Sequence, residues 1–235
     1  MRLRFALPLL IAGFAAPAPA WAAAQAGMGT DVIRTMLVLT MLAVVPAVLV
    51  SMTSFIRIVV VLSMVRHAFG MPETPPNPVL VSLALFLTAF TMSPTLNALN
   101  TQALKPLLAG TATVEQAMER GSAPLRAFML AQTRDSDIEA IYAIAKTPVP
   151  DKPEQVEILK LAPAFILNEL RVSFTIGFVI LLPFLLIDLV VSSILLALGM
   201  MMVPPATISL PIKILMFVLI DGWSLILQGV LGSFR

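Results

Sequence analysis

Four long apolar stretches and one polar stretch organise the chain. The first apolar block runs from Thr35 to Ala68, interrupted by Pro46 and Arg57. The second, Val79 to about Leu99, carries no charge. The third is Leu161 to Val203, and the fourth is Ile208 to Phe234. At 1.5 Å per residue, the roughly 43 residues of the third block would extend about 65 Å as a helix, twice a hydrocarbon core. Its middle, Leu181-Leu182-Pro183-Phe184, is no polar turn. The expectation is therefore one long helix kinked or broken at Pro183 and covered by other protein, where irregular backbone is tolerated at membrane depth. The pattern predicts an all-α integral membrane protein with about four long apolar elements, kinked or hairpin-like, with five or six as the alternative.

Composition supports this reading. Of the 235 residues, 59% are hydrophobic and 12% charged, with a mean hydropathy of +0.97; soluble domains carry about 25% charged residues. Fifteen of the 28 charges fall between Thr101 and Lys160. A soluble enzyme, a nucleic-acid binder and a disordered tail are excluded. There is no cysteine and one histidine, His67, so disulfides and the usual zinc sites are not expected.

The N-terminus reads as a secretory signal: Arg2 and Arg4, an apolar run from Phe5 to Ala16, then small residues around Ala20-Trp21-Ala22 and Ala22-Ala23-Ala24. The run is short of the roughly 20 residues that span a bilayer. Residues 1–24 are therefore expected to be cleaved, placing the mature N-terminus outside a bacterial cytoplasmic membrane. Residues 25–100 then form a first membrane region and 161–235 a second. Between them, 101–160 is a polar, helical, periplasmic insert.

Within the insert, Thr113 and Gln116 make a capping box for a helix through Arg120. Leu125–Thr133 and Ser136–Lys146 read as two more short helices, the latter capped by Asp135 or Ser136. Pro153 opens a helix running into the third block. So small an insert is expected to lean on its neighbours. Residues 71–78 hold four prolines. With Pro75, Pro76, Asn77 and Pro78 they read as a stiff, extended connector, with a docking motif as the alternative.

Besides Arg66 near the end of the first block, six charges lie inside the apolar blocks: Arg57, Glu169, Arg171, Asp188, Lys213 and Asp221. Each is expensive at mid-membrane. Glu169 and Arg171, two residues apart, point to different sides of one helix, so their partners must come from other helices or other subunits. Balanced signs favour an assembly network over a proton relay, with snorkelling open for Arg57 and Lys213. Met200, Met201 and Met202 stand between Gly199 and Pro204-Pro205, where a helix gives way to a loop. They are either lipid-facing or core side chains, or the elements of a deformable plug. No nucleophile, base and orienter set is present, and neither enzymatic activity nor a cofactor is expected.

Phe55-Ile56-Arg57-Ile58-Val59-Val60-Val61-Leu62-Ser63 and Pro75-Pro76-Asn77-Pro78-Val79-Leu80 closely resemble the FliP family of flagellar export-gate proteins. So do Asn168-Glu169-Leu170-Arg171, Ile187-Asp188-Leu189-Val190, the run from Ala197 to Pro205, and Ile208 to Trp223. Asn77-Pro78 and Asn168 are small departures from the family's wording. Virulence injectisome homologues share this core but generally lack a cleaved signal, which favours the flagellar branch.

The resemblance implies a non-enzymatic core subunit of the type III export gate in the bacterial inner membrane, at the flagellar basal body. About five copies would form a ring with FliQ and FliR and contact other membrane proteins of the export apparatus. Unfolded flagellar proteins would pass through the ring, with Met200 to Met202 matching the family's pore gasket. It also implies that the spans are bent hairpins. An ion-coupled transporter of small solutes, using Glu169, Asp188 and Asp221, would show inverted repeats, and none is found. An ion channel would want a filter-like or charged pore ring.

N-terminal sequencing of protein extracted from membranes should start near Gln25; a sequence starting at Met1 would refute cleavage.

Overall fold

The computed structural model describes residues 35–36, 39–40, 43–44, 46–48, 50–71 and 73–234. The expected signal segment lies outside them. Residues Met1–Pro46 form a unit of their own; its described positions are helical, with Thr40 Oγ1 donating to the Met36 carbonyl at 2.8 Å.

The second unit, Ala47–Arg235, holds α1 (Phe55–Ala68), α2 (Asn77–Thr91), α3 (Ser93–Leu99), a π-helical turn (Asn100–Leu104) and α4 (Lys105–Leu108). These are followed by α5 (Val114–Gln132), α6 (Asp135–Ile144), a 3-10 turn (Pro153–Gln155), α7 (Ile158–Ala197), α8 (Pro205–Leu219) and α9 (Gly222–Leu231). Every regular element among the described residues is helical.

The expected four long spans resolve differently. Among the described residues, α7 alone is by itself long and apolar enough to cross a membrane. Two more candidates exist as bent pairs, Asn77–Thr91 with Ser93–Leu108 and Pro205–Leu219 with Gly222–Leu231, each turning by 67°. The second apolar block is thus no single rod. It turns at Met92, where Pro94 enters the next helix without an amide donor, and the π-helical turn lies just before Pro106. The first block is helical at both Pro46 and Arg57 and breaks instead at Met52–Thr53–Ser54.

The third block corrects the expectation most. α7 runs unbroken through Pro163 and Pro183 for 40 residues, about 60 Å. Phe184, next to Pro183, packs edge-on to Phe69 at 5.2 Å and tilted to Phe217 at 6.4 Å, so tertiary packing holds the helix where the amide is missing.

α7 can be this long because two hydrophobic cores share it. The larger joins Ile58, Val61, Leu62, Val65 and Ala68 of α1, at helical spacing, to Leu80 and Ala84 of α2, Phe184 of α7, Phe217 of α8, and Ile226 and Val230 of α9. The smaller joins Met129 of α5, Ile138 and Tyr142 of α6, and Val156 to the start of α7 at Leu161, Ala164 and Phe165. The insert therefore does lean on a neighbour, the first turns of α7.

Inside the insert, Thr113 and Gln116 form the expected capping box. The two helices expected at 113–120 and 125–133 are one, α5, which continues through Pro124 with Gly121 buried against Ala103. α6 starts at Asp135 with Arg134 as N-cap, so neither Asp135 nor Ser136 caps it. Pro153 opens only a three-residue turn, after which Val156 and Glu157 are extended and α7 starts afresh.

α1 and α7 run in the same direction. Gly177 sits against Met64, whose sulfur occupies the place a β-carbon would take. Gly177→Leu should force the two helices apart and cost on the order of 1–3 kcal/mol. Gly229→Ala, where a β-carbon meets nothing within 4 Å, should be neutral or slightly stabilising. Thermal unfolding of the two variants in detergent, side by side, checks the contrast.

Candidate functional site

Arg57, in the first turn of α1, is 2% exposed and Glu169 of α7 is fully buried. Arg57 Nε donates to Glu169 Oε2 at 2.8 Å and Nη2 to Oε1 at 2.5 Å, a two-pronged contact. Nη2 also reaches Gln132 Oε1 at 3.3 Å, and Nη1 reaches the Ser233 carbonyl at 2.9 Å and its hydroxyl at 3.0 Å. The Phe234 ring lies 4.0 Å below the guanidinium carbon. Five contacts match the five N–H groups of arginine, so the buried cation is satisfied. One side chain thereby ties α1 to α7, to the end of α5, and to Ser233 and Phe234 after α9.

Asn168 is buried beside it. Its Nδ2 donates to the Gln132 carbonyl at 2.5 Å, while Oδ1 has no partner. Asn168 and Arg57 line a cavity of about 420 Å³ with Thr133, Arg134 and Ser233.

The second buried cation is Lys213 of α8. Its Nζ donates to Asp188 Oδ2 at 2.6 Å and to the Ala68 carbonyl at 3.2 Å. Ala68 ends α1, so the ammonium also faces the negative end of that helix dipole. Arg171 points away from Glu169, as the two-residue spacing requires. It is half-exposed and pairs with buried Asp137 of α6 at 2.7 Å. Five of the six charges singled out in the sequence thus meet a partner inside the same chain. Asp221 does not; it stands exposed at the α8–α9 corner with φ of 49°.

The methionines stand where a helix stops. Gly199 has φ of 74°, its N–H bonds the Leu196 carbonyl at 3.1 Å, and Met200 N–H bonds that of Leu195 at 2.9 Å. This paired closure needs glycine at the left-handed position. Beyond it Met201 is 80% and Met202 96% exposed. The tip also projects. Phe69 touches both Phe184 and Phe217, so the first connection, at Gly70, ends at that level. From there α7 continues 13 residues to Ala197, about 20 Å. The buried residues within this overhang are Val191, Leu195, Ser209 and Lys213.

The connector is shorter than expected. Asn77 and Pro78 are the first residues of α2, where a missing amide costs nothing, and Asn77 Oδ1 accepts from Arg66 Nη1 at 2.5 Å. The Thr74–Pro75 bond is cis and Pro76 is extended. Among the described residues no group of three or more His, Asp or Glu converges as a metal site. What the buried polar groups do is hold helices in register. Gln132, Asp137, Ser233 and Phe234 escaped sequence reasoning because only the fold brings them to Arg57 and Arg171. Asn168 carried a signal, a polar residue within an apolar run.

The family model described as "FliP family" matches residues 38–230. The flagellar biosynthetic protein FliP of Pectobacterium carotovorum subsp. carotovorum is 51% identical over 202 residues, covering 86% of this chain and 78% of that protein. The protein of the same name from Bacillus subtilis (strain 168) is 44% identical over 205 residues, covering 87% and 93%. That of Aquifex aeolicus (strain VF5) is 42% identical over 207 residues, covering 87% of each.

Removing one partner of a buried pair strands the other. Glu169→Ala should therefore lower stability by about 3–5 kcal/mol. Arg171→Ala, on a half-exposed pair, should cost no more than about 1 kcal/mol. Thermal unfolding of detergent-solubilised protein measures both, and equal losses would contradict the ranking.

Proposed function

This chain belongs to the FliP family, and on that premise we propose that it is a structural, non-catalytic subunit of the flagellar type III export gate. Several copies, five in the expected ring, assemble with FliQ and FliR and adjoin other membrane proteins of the export apparatus. Unfolded flagellar proteins cross the bacterial inner membrane through the resulting channel. The mature N-terminus and the insert at 101–160 face the periplasm.

The observation that carries this reading is the projecting α7–α8 hairpin with Met200, Met201 and Met202 at its tip. A tip on which Met201 and Met202 stand this exposed is free to meet its counterparts from other copies. A collar of thioether side chains is apolar, so hydrating it is unfavourable and ions are excluded. It is also flexible, so it repacks around a passing chain of any sequence. The outward face of α7, with Phe174, Phe178, Leu182, Leu185 and Leu189 exposed, fits lipid or neighbouring subunits. The buried pairs prepare each copy for assembly by fixing the direction in which its hairpin points.

Replacing Met200, Met201 and Met202 together with alanine removes the seal and touches no buried charge. The complex should still assemble, at wild-type abundance, while the membrane becomes leaky to small ions. Conductance of membranes carrying the triple variant, with complex abundance measured alongside, decides it. An assembled complex no leakier than wild type would show that the methionines only pack.

A further inference from the structure

Resting on the assembly reading above, we propose that neighbouring copies of this chain are joined by an ion pair between Arg66 of one copy and Asp221 of the next. Arg57 is closed by Glu169, Lys213 by Asp188, and Arg171 by Asp137. Among the described residues of the apolar elements, two groups of opposite sign remain without a counter-charge, Arg66 at the end of α1 and Asp221 at the α8–α9 corner.

Each is held ready rather than paired. Arg66 is half-buried; Nη1 bonds the neutral amide of Asn77, and Nε has no partner. Glu73 lines the same cavity of about 400 Å³ but makes no ion pair with it. His67, the neighbouring titratable group, uses Nδ1 on the Ser63 carbonyl. The Asp221 side chain caps nothing and is exposed. Its direction is fixed by the corner itself. The Phe217 ring fills the space a β-carbon on Gly222 would need, and Trp223 meets that ring edge-on at 5.4 Å. Around the carboxylate, Val218, Leu219, Ile220, Trp223 and Leu225 are exposed apolar side chains. On the assembly reading, those apolar neighbours leave the carboxylate short of water, and a counter-charge stabilises it.

The two groups also stand at the same height. Phe69, Phe184 and Phe217 share one aromatic cluster. Arg66 precedes Phe69 by three residues on a helix running towards that cluster, about 4.5 Å. Asp221 follows Phe217 by four residues, just past the end of α8, which runs away from the cluster, so it lies on the same side within about 6 Å. Within one copy they make no ion pair. Copies set side by side about an axis along the helices would bring opposite charges together at matching levels. Such a contact uses a different patch on each partner, the head-to-tail type that closes into a ring.

The chain has no cysteine, which makes the test clean. Full-length protein carrying Arg66→Cys and Asp221→Cys together, oxidised in membranes, should give a ladder of cross-linked multimers, and neither single variant should. In parallel, Arg66→Asp and Asp221→Arg should each lower the yield of assembled complex about tenfold or more by juxtaposing like charges, and the double reversal should regain most of it. Should a reversal variant misfold, the cross-linking result decides alone. A doubly substituted cysteine protein that assembles to wild-type abundance but gives no ladder overturns the pair. Wild-type chains that never assemble with one another would overturn the assembly reading itself.

Discussion

The pairing of Arg57 with Glu169 is the constraint on which the rest of this fold depends. A buried guanidinium is tolerable only if its charge is matched and its donors are occupied. Here that requirement is met by five contacts from three distant parts of the chain. α1 cannot slide along α7, the insert cannot tilt off its base, and the segment after α9 cannot leave without exposing a donor. Lysine at position 57 would keep the charge but lose the fork that reaches two carboxylate oxygens and two further elements at once.

Lys213 plays the complementary part higher up α7. Glu169 and Asp188 are 19 residues apart on that helix, about 28 Å, and the larger hydrophobic core lies between them. Apolar packing alone specifies how much surface is buried and leaves sliding and rotation cheap. Two ionic contacts at separate heights remove that freedom. Past the second one, among the described residues, the α7–α8 hairpin is held by its own two helices, and this is where the methionines sit.

Much of this was legible in the residues. The apolar blocks, the capping box at Thr113, the dependence of the insert on its neighbours, and the six unusual charges all follow from patterning and from the cost of burying charge. The opposite pointing of Glu169 and Arg171 was also readable, because helix geometry is local. Continuity was not. Proline at 183 suggested a break, yet Phe184 packing keeps the helix whole, while the real corners lie at Met92 and Asp221. Those depend on tertiary contacts such as Phe217 against Gly222. Partner identity was equally hidden: nothing near Arg57 in the chain points to Ser233, 176 residues away.

That separation has a consequence for biosynthesis. Glu169 lies 112 residues after Arg57. At bacterial elongation rates of about 5 to 20 residues per second, Arg57 emerges roughly 5 to 25 seconds before its carboxylate exists, and longer before Ser233. During that interval α1 holds an unmatched charge that is costly to bury. The order of synthesis therefore runs against the order of docking. The Arg57 guanidinium must keep its hydration until α7 arrives to replace it.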